Sequence, residues 1–309
     1  MRRRIVVLLL AGLSLAAPAS ASAHARAATT ALDYKLVLHP AVKRLPGVDV
    51  SILDGDRSLQ ITVHRGLLTI RGDLGETMLR LVPGGAWANR TSPTAVAEKL
   101  VTPGKSWQRV SSGSTFTWHE HRLSPPPYGD GRPGPIASFS IPGSLNGRPV
   151  DLGGTFVRYT RPSVWPWVAG ALVTGAALAA ALRLRPRLRG RATTVLGSLA
   201  GLAALATLVT FGVADAPNGR VAWAQIVIGA VIGVIVAGAL VRLSEVRRVQ
   251  LAGLLGLASV VVSLGWLSAF WHGVIISLLS ASATRAILVV GLVAGATAAV
   301  TSFTIEEAG

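Results

Sequence analysis

Residues 161–190 read RPSVWPWVAGALVTGAALAAALRLRPRLRG, and the chain changes character across them. Before this stretch, short β-branched runs alternate with turn residues. From about Trp165 onward Ala, Leu, Val, Gly and Ile come in long unbroken blocks. An element with one face in water alternates polar and apolar positions, and these blocks do not. Trp165 and Trp167 are placed as aromatic anchors at headgroup depth. Five apolar segments are expected, at about 166–184, 192–213, 222–242, 249–270 and 284–303. Each is long enough to cross a hydrocarbon core of roughly 30 Å as a helix. The piece GVIISLL at 273–279 is too short and reads as interfacial or re-entrant.

The net charge of +16 is explained by topology. Arg2, Arg3 and Arg4 open the chain, and Arg183, Arg185, Arg187, Arg189 and Arg191 follow the first apolar block. Arg242, Arg247 and Arg248 follow the third. With the N-terminal half outside, eight arginines fall in inner loops against Arg220 and Arg285 outside, the bias that orients membrane proteins. The expected location is therefore the plasma membrane, multi-pass, with an extracytoplasmic N-terminal domain and a cytoplasmic C-terminus. Nucleic-acid binding would want clustered basic residues with interleaved aromatics, and no run of the sequence has them. The absence of cysteine removes disulfides, thiolate metal sites and thiol nucleophiles.

The opening MRRRIVVLLLAGLSLAAPASASAHA has the charged, apolar and small-residue parts of an export signal, so residues 1–23 are expected to be removed. Cleavage after Ala23 leaves His24 first, where its amine and imidazole together would suit copper. Residues 24–160 read as an all-β extracytoplasmic domain. Runs such as VDVSILDGD, LQITVH, TMLRLV and GTFVRYT are separated by turn residues, among them Pro83-Gly84-Gly85, Pro125-Pro126-Pro127 and Gly143. About seven short strands point to an immunoglobulin-like sandwich. The only window with helical character is 93–100. Residues 161–309 form the expected all-α bundle of five transmembrane helices.

Within the β region, TWHEHR at 117–122 is the candidate site. On a strand, His119 and His121 share one face, and Glu120 and Arg122 the other. Two readings stand open. The imidazoles can hold copper or zinc if a third ligand arrives, with His24, His39, His64 and His272 as candidates. Alternatively Glu120 pairs with Arg122, Trp118 covers the end of the fold, and the histidines hydrogen-bond at its rim. Catalytic motifs are missing: there is no nucleophile elbow, no zinc-protease helix and no phosphate loop. Glu76, Glu98 and Asp130 read as isolated surface carboxylates, so an enzyme is not expected.

The bundle has essentially no ionisable residue at bilayer depth, and methionine occurs only at Met1 and Met78, which disfavours transport. Gly197/Gly201, Gly229/Gly233 and Gly291/Gly295 have the spacing that lets helices approach closely, by default within one chain.

GETMLRLVPGGAWANRTSPTA followed by WQRVSSGSTFTWHEHR resembles the exported domain of a family of uncharacterised actinobacterial membrane proteins. Those pair a Gly-Glu-x-x-Leu-Arg strand and an Asn-x-x-Ser-Pro turn with a Trp-His-Asp-His-Arg segment. The resemblance covers about residues 45–160. It implies motif positions at Glu76, Leu79, Arg80, Asn89, Ser92, Pro93, Trp118, His119, His121 and Arg122. Glu120 stands where the family has aspartate, and Ser124-Pro125-Pro126 replaces a His-Trp-Met, which weakens a metal role. The order of signal, β-domain and bundle also resembles envelope copper-handling proteins.

The sequence thus points to a non-enzymatic cell-envelope protein in the lipid bilayer. Its exported domain is expected to bind a partner, such as another envelope protein, or a ligand, with the Trp118–Arg122 strand as the first candidate face. The alternatives are a copper or zinc module in envelope metal homeostasis and a permease or channel component.

Overall fold

The computed structural model describes residues 31–53, 58–124, 131–214, 226–227, 230, 233 and 242–306. The expected leader, His24, Asp130, the Pro125-Pro126-Pro127 turn and most of the expected span 222–242 lie outside the described residues. The chain divides into two compact units, one of residues 32–160 and one of the described residues from Arg161 on.

The first unit is all-β, as the sequence implies. Its strands are β1 (Tyr34–Leu38), β2 (Val48–Leu53), β3 (Ser58–Val63), β4 (Leu68–Arg71), β5 (Thr77–Val82) and β6 (Gly85–Asn89). After a short helix α1 (Pro93–Ala97) come β7 (Trp107–Ser111), β8 (Thr115–His119), β9 (Gly134–Phe139), β10 (Pro142–Leu145), β11 (Arg148–Asp151) and β12 (Gly154–Arg158). They form three antiparallel sheets, in the spatial orders β9-β12-β1, β11-β10-β4-β5-β6-β7 and β2-β3-β8. The strands therefore outnumber the seven or so expected, and they fall into three sheets where an immunoglobulin-like sandwich has two. One reason is the two-residue turn at Asn146 and Gly147, both at positive φ (51° and 81°), which folds residues 142–151 into the hairpin β10–β11. Gly143, read as a turn, lies within β10, where a side chain would run into the carbonyl oxygen of Thr69 on β4.

Strand alternation delivers one continuous core. Leu59, Ile61, Leu68, Ile70, Met78, Leu79 and Leu81 are fully buried in it, with Trp118, Leu123 and Ile141. Each such side chain contributes about 1.5–3 kcal/mol by leaving water. Helix α1 starts at Ser92, whose hydroxyl accepts the Ala95 N–H, and has proline at its first position. It stops where Lys99 takes a positive φ of 58°.

The second unit is helical: α2 (Trp165–Leu184), α3 (Arg189–Ala214), α4 (Glu245–Gly265) and α5 (Ala281–Glu306). Among the described residues, four helices are long and apolar enough to cross a membrane, where five spans were expected. Within 222–242 only isolated positions are described, and these are helical. The expected 249–270 span ends early, at Gly265, and gives way to a 3-10 turn at Leu267–Phe270.

Small residues line the contacts among α3, α4 and α5. Gly197 lies on the Ala252 backbone, and Gly256 and Gly295 meet back to back, so that a side chain on either would overlap the other's carbonyl. Thr193 and Thr301 share a hydrogen bond of 2.8 Å between helices. Thr207 and Thr297 donate to carbonyls one turn back, while the buried hydroxyls of Ser259 and Ser263 lie against Gly291 without a partner. Arg285, expected in an outer loop, sits near the start of α5 and is buried. Its guanidinium donates to the carbonyls of Ala269 and His272, each at 2.9 Å, and so closes the turn before α5.

Candidate functional site

Strand β8 runs antiparallel to β3, with Trp118 opposite Leu59 and His119 opposite Ser58. Trp118 is buried against Phe116, ring centroids 5.8 Å apart, so its indole N–H needs an acceptor inside the protein. The acceptor is Glu120, whose Oε2 lies 3.0 Å away. The strand ends at His119. Glu120 is still extended, and a 3-10 turn at His121–Leu123 follows, with the Glu120 carboxylate accepting the Arg122 main-chain N–H at 3.2 Å.

That turn brings the Arg122 side chain back over Glu120. Nε donates to Oε1 and Nη2 to Oε2, both at 2.7 Å, a two-pronged pair, while Nη1 donates to the Arg71 carbonyl at 3.0 Å. Glu120 is wholly buried. Burial alone would push its carboxyl up. The hydrogen bonds and charge of Arg122, with the Trp118 N–H, outweigh that and hold it below the ordinary glutamate value. Burial likewise opposes the Arg122 charge, and Glu120 outweighs it, so the guanidinium is held above its usual value. The structural reading of Glu120 and Arg122 as partners is thus what the fold contains.

His121 is exposed beside this pair and lies between two carboxylates. Its Nδ1 faces Glu98 and its Nε2 lies 3.0 Å from Asp73 Oδ2; its main-chain N–H also donates to Glu98 at 3.1 Å. Glu98 caps the end of α1 and its side chain is nearly buried. It is no solvated surface charge, as the sequence reading had it. Asp73 stands on the turn between β4 and β5, and its N–H donates to Thr94 Oγ1 of α1 at 2.9 Å.

The same helix collects the other motif. Glu76 accepts from Ser92 Oγ at 2.6 Å, from the Leu74 N–H at 3.1 Å and from the Thr94 N–H at 3.4 Å. Burial pushes its carboxyl up, and these donors together outweigh that, leaving it below the ordinary value. Asn89 ties the strand before the helix, donating to the Thr77 carbonyl at 3.0 Å and accepting from Thr91. Glu76, Asn89, Ser92, Trp118, Glu120 and Arg122 therefore belong to one network organised around α1. Asp73 and Glu98 complete it. Sequence reading missed them because Glu98 read as an isolated carboxylate and nothing in the local pattern ties Asp73, on the turn before Glu76, to TWHEHR.

Among the described residues, Glu98, Glu120 and His121 are the one group whose ligand atoms, all within 4.8 Å of each other, could converge on a metal. Their chemistry fits an ion poorly. Glu120 accepts four N–H donors, two on each oxygen, which occupies its lone pairs, and Arg122 already supplies the balancing charge. His119 does not join this group: it is exposed at the strand end, beyond which His121 enters the 3-10 turn. His64 pairs with Asp49 elsewhere, at 2.8 Å.

Arg80 lies apart from this network, on the outer face of the six-stranded sheet. Neighbouring strands place Ser144, Thr69, Arg80, Trp87 and Arg109 in one row across β10, β4, β5, β6 and β7. The Arg80 guanidinium stacks 4.2 Å over the Trp107 ring, and that of Arg109 lies 5.3 Å over Trp87. Arg109 is further fixed by donating to the Ser111 and Gly84 carbonyls at 3.2 and 2.6 Å. The sequence has no basic run with interleaved aromatics, yet three strands assemble one here. Alternation in MLRL, GAWAN and SWQRV was the available signal.

No protein-family model, no curated protein and no solved structure matches the chain.

Proposed function

We propose that this is a membrane-anchored binding protein of the cell envelope, non-enzymatic, with its β unit outside, its helices in the plasma membrane and its C-terminus in the cytoplasm. The helices suit a lipid environment by length and composition. The arginine bias supports the orientation. The reading of an exported, signal-cleaved protein resembling actinobacterial membrane proteins belongs to the same proposal.

One contrast within the β unit carries the binding role. The Glu120 carboxylate, with two N–H donors on each oxygen, has no free lone pair for acid–base work, and Glu76 is tied down by three internal donors. The outer row of the six-stranded sheet instead keeps Arg80 exposed, with its five N–H donors unclaimed by any described residue. An exposed, rigidly stacked guanidinium is a recognition group. The binding face is therefore assigned to that row, and the Trp118–Arg122 segment is assigned to holding the fold.

The absence of native cysteine permits a direct test. Ser112→Cys in the β7–β8 turn should react with a membrane-impermeant maleimide in intact cells. Arg187→Cys should react only after permeabilisation. The opposite pattern ends the topology. Thr69→Cys, within the row, should label more slowly in the native envelope than after detergent extraction. Equal rates end the assignment of the face.

A further inference from the structure

We infer that the outer face of the six-stranded sheet binds an anionic polysaccharide; this rests on the assignment of the binding face above. The charge complementarity is one-sided. Strands β4, β5, β6, β7 and β10 contain no Asp or Glu, while β4, β5 and β7 carry Arg71, Arg80 and Arg109. The sixth strand, β11, carries the one acid on the sheet's strands, Asp151, and its carboxylate already accepts from Ser140 Oγ and the Ile141 N–H, each at 2.9 Å.

The side chains in the row select among anions. The Arg80 guanidinium, 4.2 Å over Trp107, keeps its N–H edges clear of described partners and can take a carboxylate or phosphate in two-pronged fashion. Arg109, 5.3 Å over Trp87, gives Nε and Nη2 protons to the Ser111 and Gly84 carbonyls and offers its remaining N–H groups. Both indoles stay half-exposed and offer apolar surface beside the charge. The other end of the row is hydroxylated: Thr69 and Ser144 share a hydrogen bond of 2.7 Å on neighbouring strands. Two hydroxyls, a guanidinium, an indole and a second guanidinium in that order across the sheet complement a chain of hydroxylated rings bearing acidic groups. Each ring would lay its C–H face on an indole and its acid on an arginine.

The test uses the full-length protein in a neutral detergent, with a ten-residue oligogalacturonate as probe. Binding is followed by tryptophan fluorescence and by calorimetry. The wild type should bind the probe and should not bind a neutral dextran of equal length. Arg80→Gln with Arg109→Gln should weaken binding at least tenfold. Lys43→Gln with Arg65→Gln, which removes the same charge from exposed positions off this face, should leave binding within twofold. Conservative Arg80→Lys with Arg109→Lys should keep the charge and lose the stacked geometry, giving an intermediate loss. The inference is overturned if both glutamine pairs weaken binding equally, if dextran binds as well as the uronate, or if the probe does not bind. It is also overturned if single-stranded DNA or phosphatidylglycerol vesicles bind more tightly than the uronate. A Thr69→Cys that is protected in the envelope, beside a probe that fails, rejects the ligand class and keeps the binding face.

Discussion

The two units bury opposite kinds of side chain. In the β unit the fully buried residues are large, such as Leu59, Ile61, Leu68 and Met78, and polar strand faces point outward. In the helical unit the buried residues of α3 and α4 are mostly glycine, alanine, serine and threonine, whereas Leu172, Val195, Leu202, Val261 and Phe303 are exposed. Water drives large apolar groups inward, and lipid does not distinguish them from its own chains. Helices in lipid are held by close backbone approach, so the smallest residues go to the interface. The polar interior follows the same division. The β unit affords a buried ion pair because five hydrogen bonds hold it. The bundle uses hydroxyls that donate to their own helix, and its buried Arg285 lies near a helix start.

Substitutions in each unit can break this contrast. The largest effect is expected at Arg122→Ala, which leaves Glu120 buried without its counter-charge. Breaking one partner of such a pair costs about 3–5 kcal/mol. Denaturant unfolding of the β unit within the full chain, read by tryptophan fluorescence, measures it. Arg122→Met combined with Glu120→Gln should recover much of the loss, and no recovery would show that packing, not charge, is at stake. Next comes Leu59→Ala, expected to cost about 2–5 kcal/mol because a filled core cannot close over the gap. The matching change Leu202→Ala, at a position 64% exposed in α3, should stay within about 0.5 kcal/mol in lipid. Similar losses at the two leucines would erase the distinction between the units.

Overpacking tests the helical side. Gly256→Val must push α4 from α5 at the Gly295 carbonyl and is expected to cost about 1–3 kcal/mol, seen as a lower thermal midpoint in detergent. The smallest effect is the pH dependence. Folding holds the Glu120 carboxyl below the ordinary glutamate value of 4.5, so its stabilisation is fully present above that value and fades as pH falls through the lower folded value. Glu76 acts in the same direction. Unfolding midpoints should therefore fall between pH 5 and strongly acidic conditions, at about the carboxylate range. Glu120→Gln should flatten that fall; an unchanged slope would assign it to other groups.

Much of the architecture was legible because the two solvents leave different periodicities. Long apolar blocks after Trp165 gave the membrane helices, and short β-branched runs gave the sheets. Chain direction at single residues was harder. Gly143 looked like a turn because glycine often is one, yet it sits in a strand where Thr69 comes too close for a side chain. The real turn, Asn146-Gly147, carries the plainest hairpin signal in the region. Arg285 read as a loop residue because charge predicts exposure, and the two carbonyls that neutralise that expectation come from a turn no local pattern announces. The candidate site divided in the same way. Glu120 and Arg122 were adjacent enough to be weighed as a pair. Glu98 and Asp73 reach His121 only after a hairpin and a one-turn helix have formed.

The network around α1 joins segments 71–76, 89–98 and 118–122. Its contacts exist only once all three have arrived, so a network completed after the folding barrier is the expectation, and Arg122→Ala should then raise the unfolding rate far more than it lowers the folding rate. Interactions of that kind act mainly on the rate of escape from the native state. In the exported topology proposed above, proteases would act on whatever opens, and the lifetime of the closed form would decide survival. Arg122 and Glu120 would then serve this protein as a brake on unravelling.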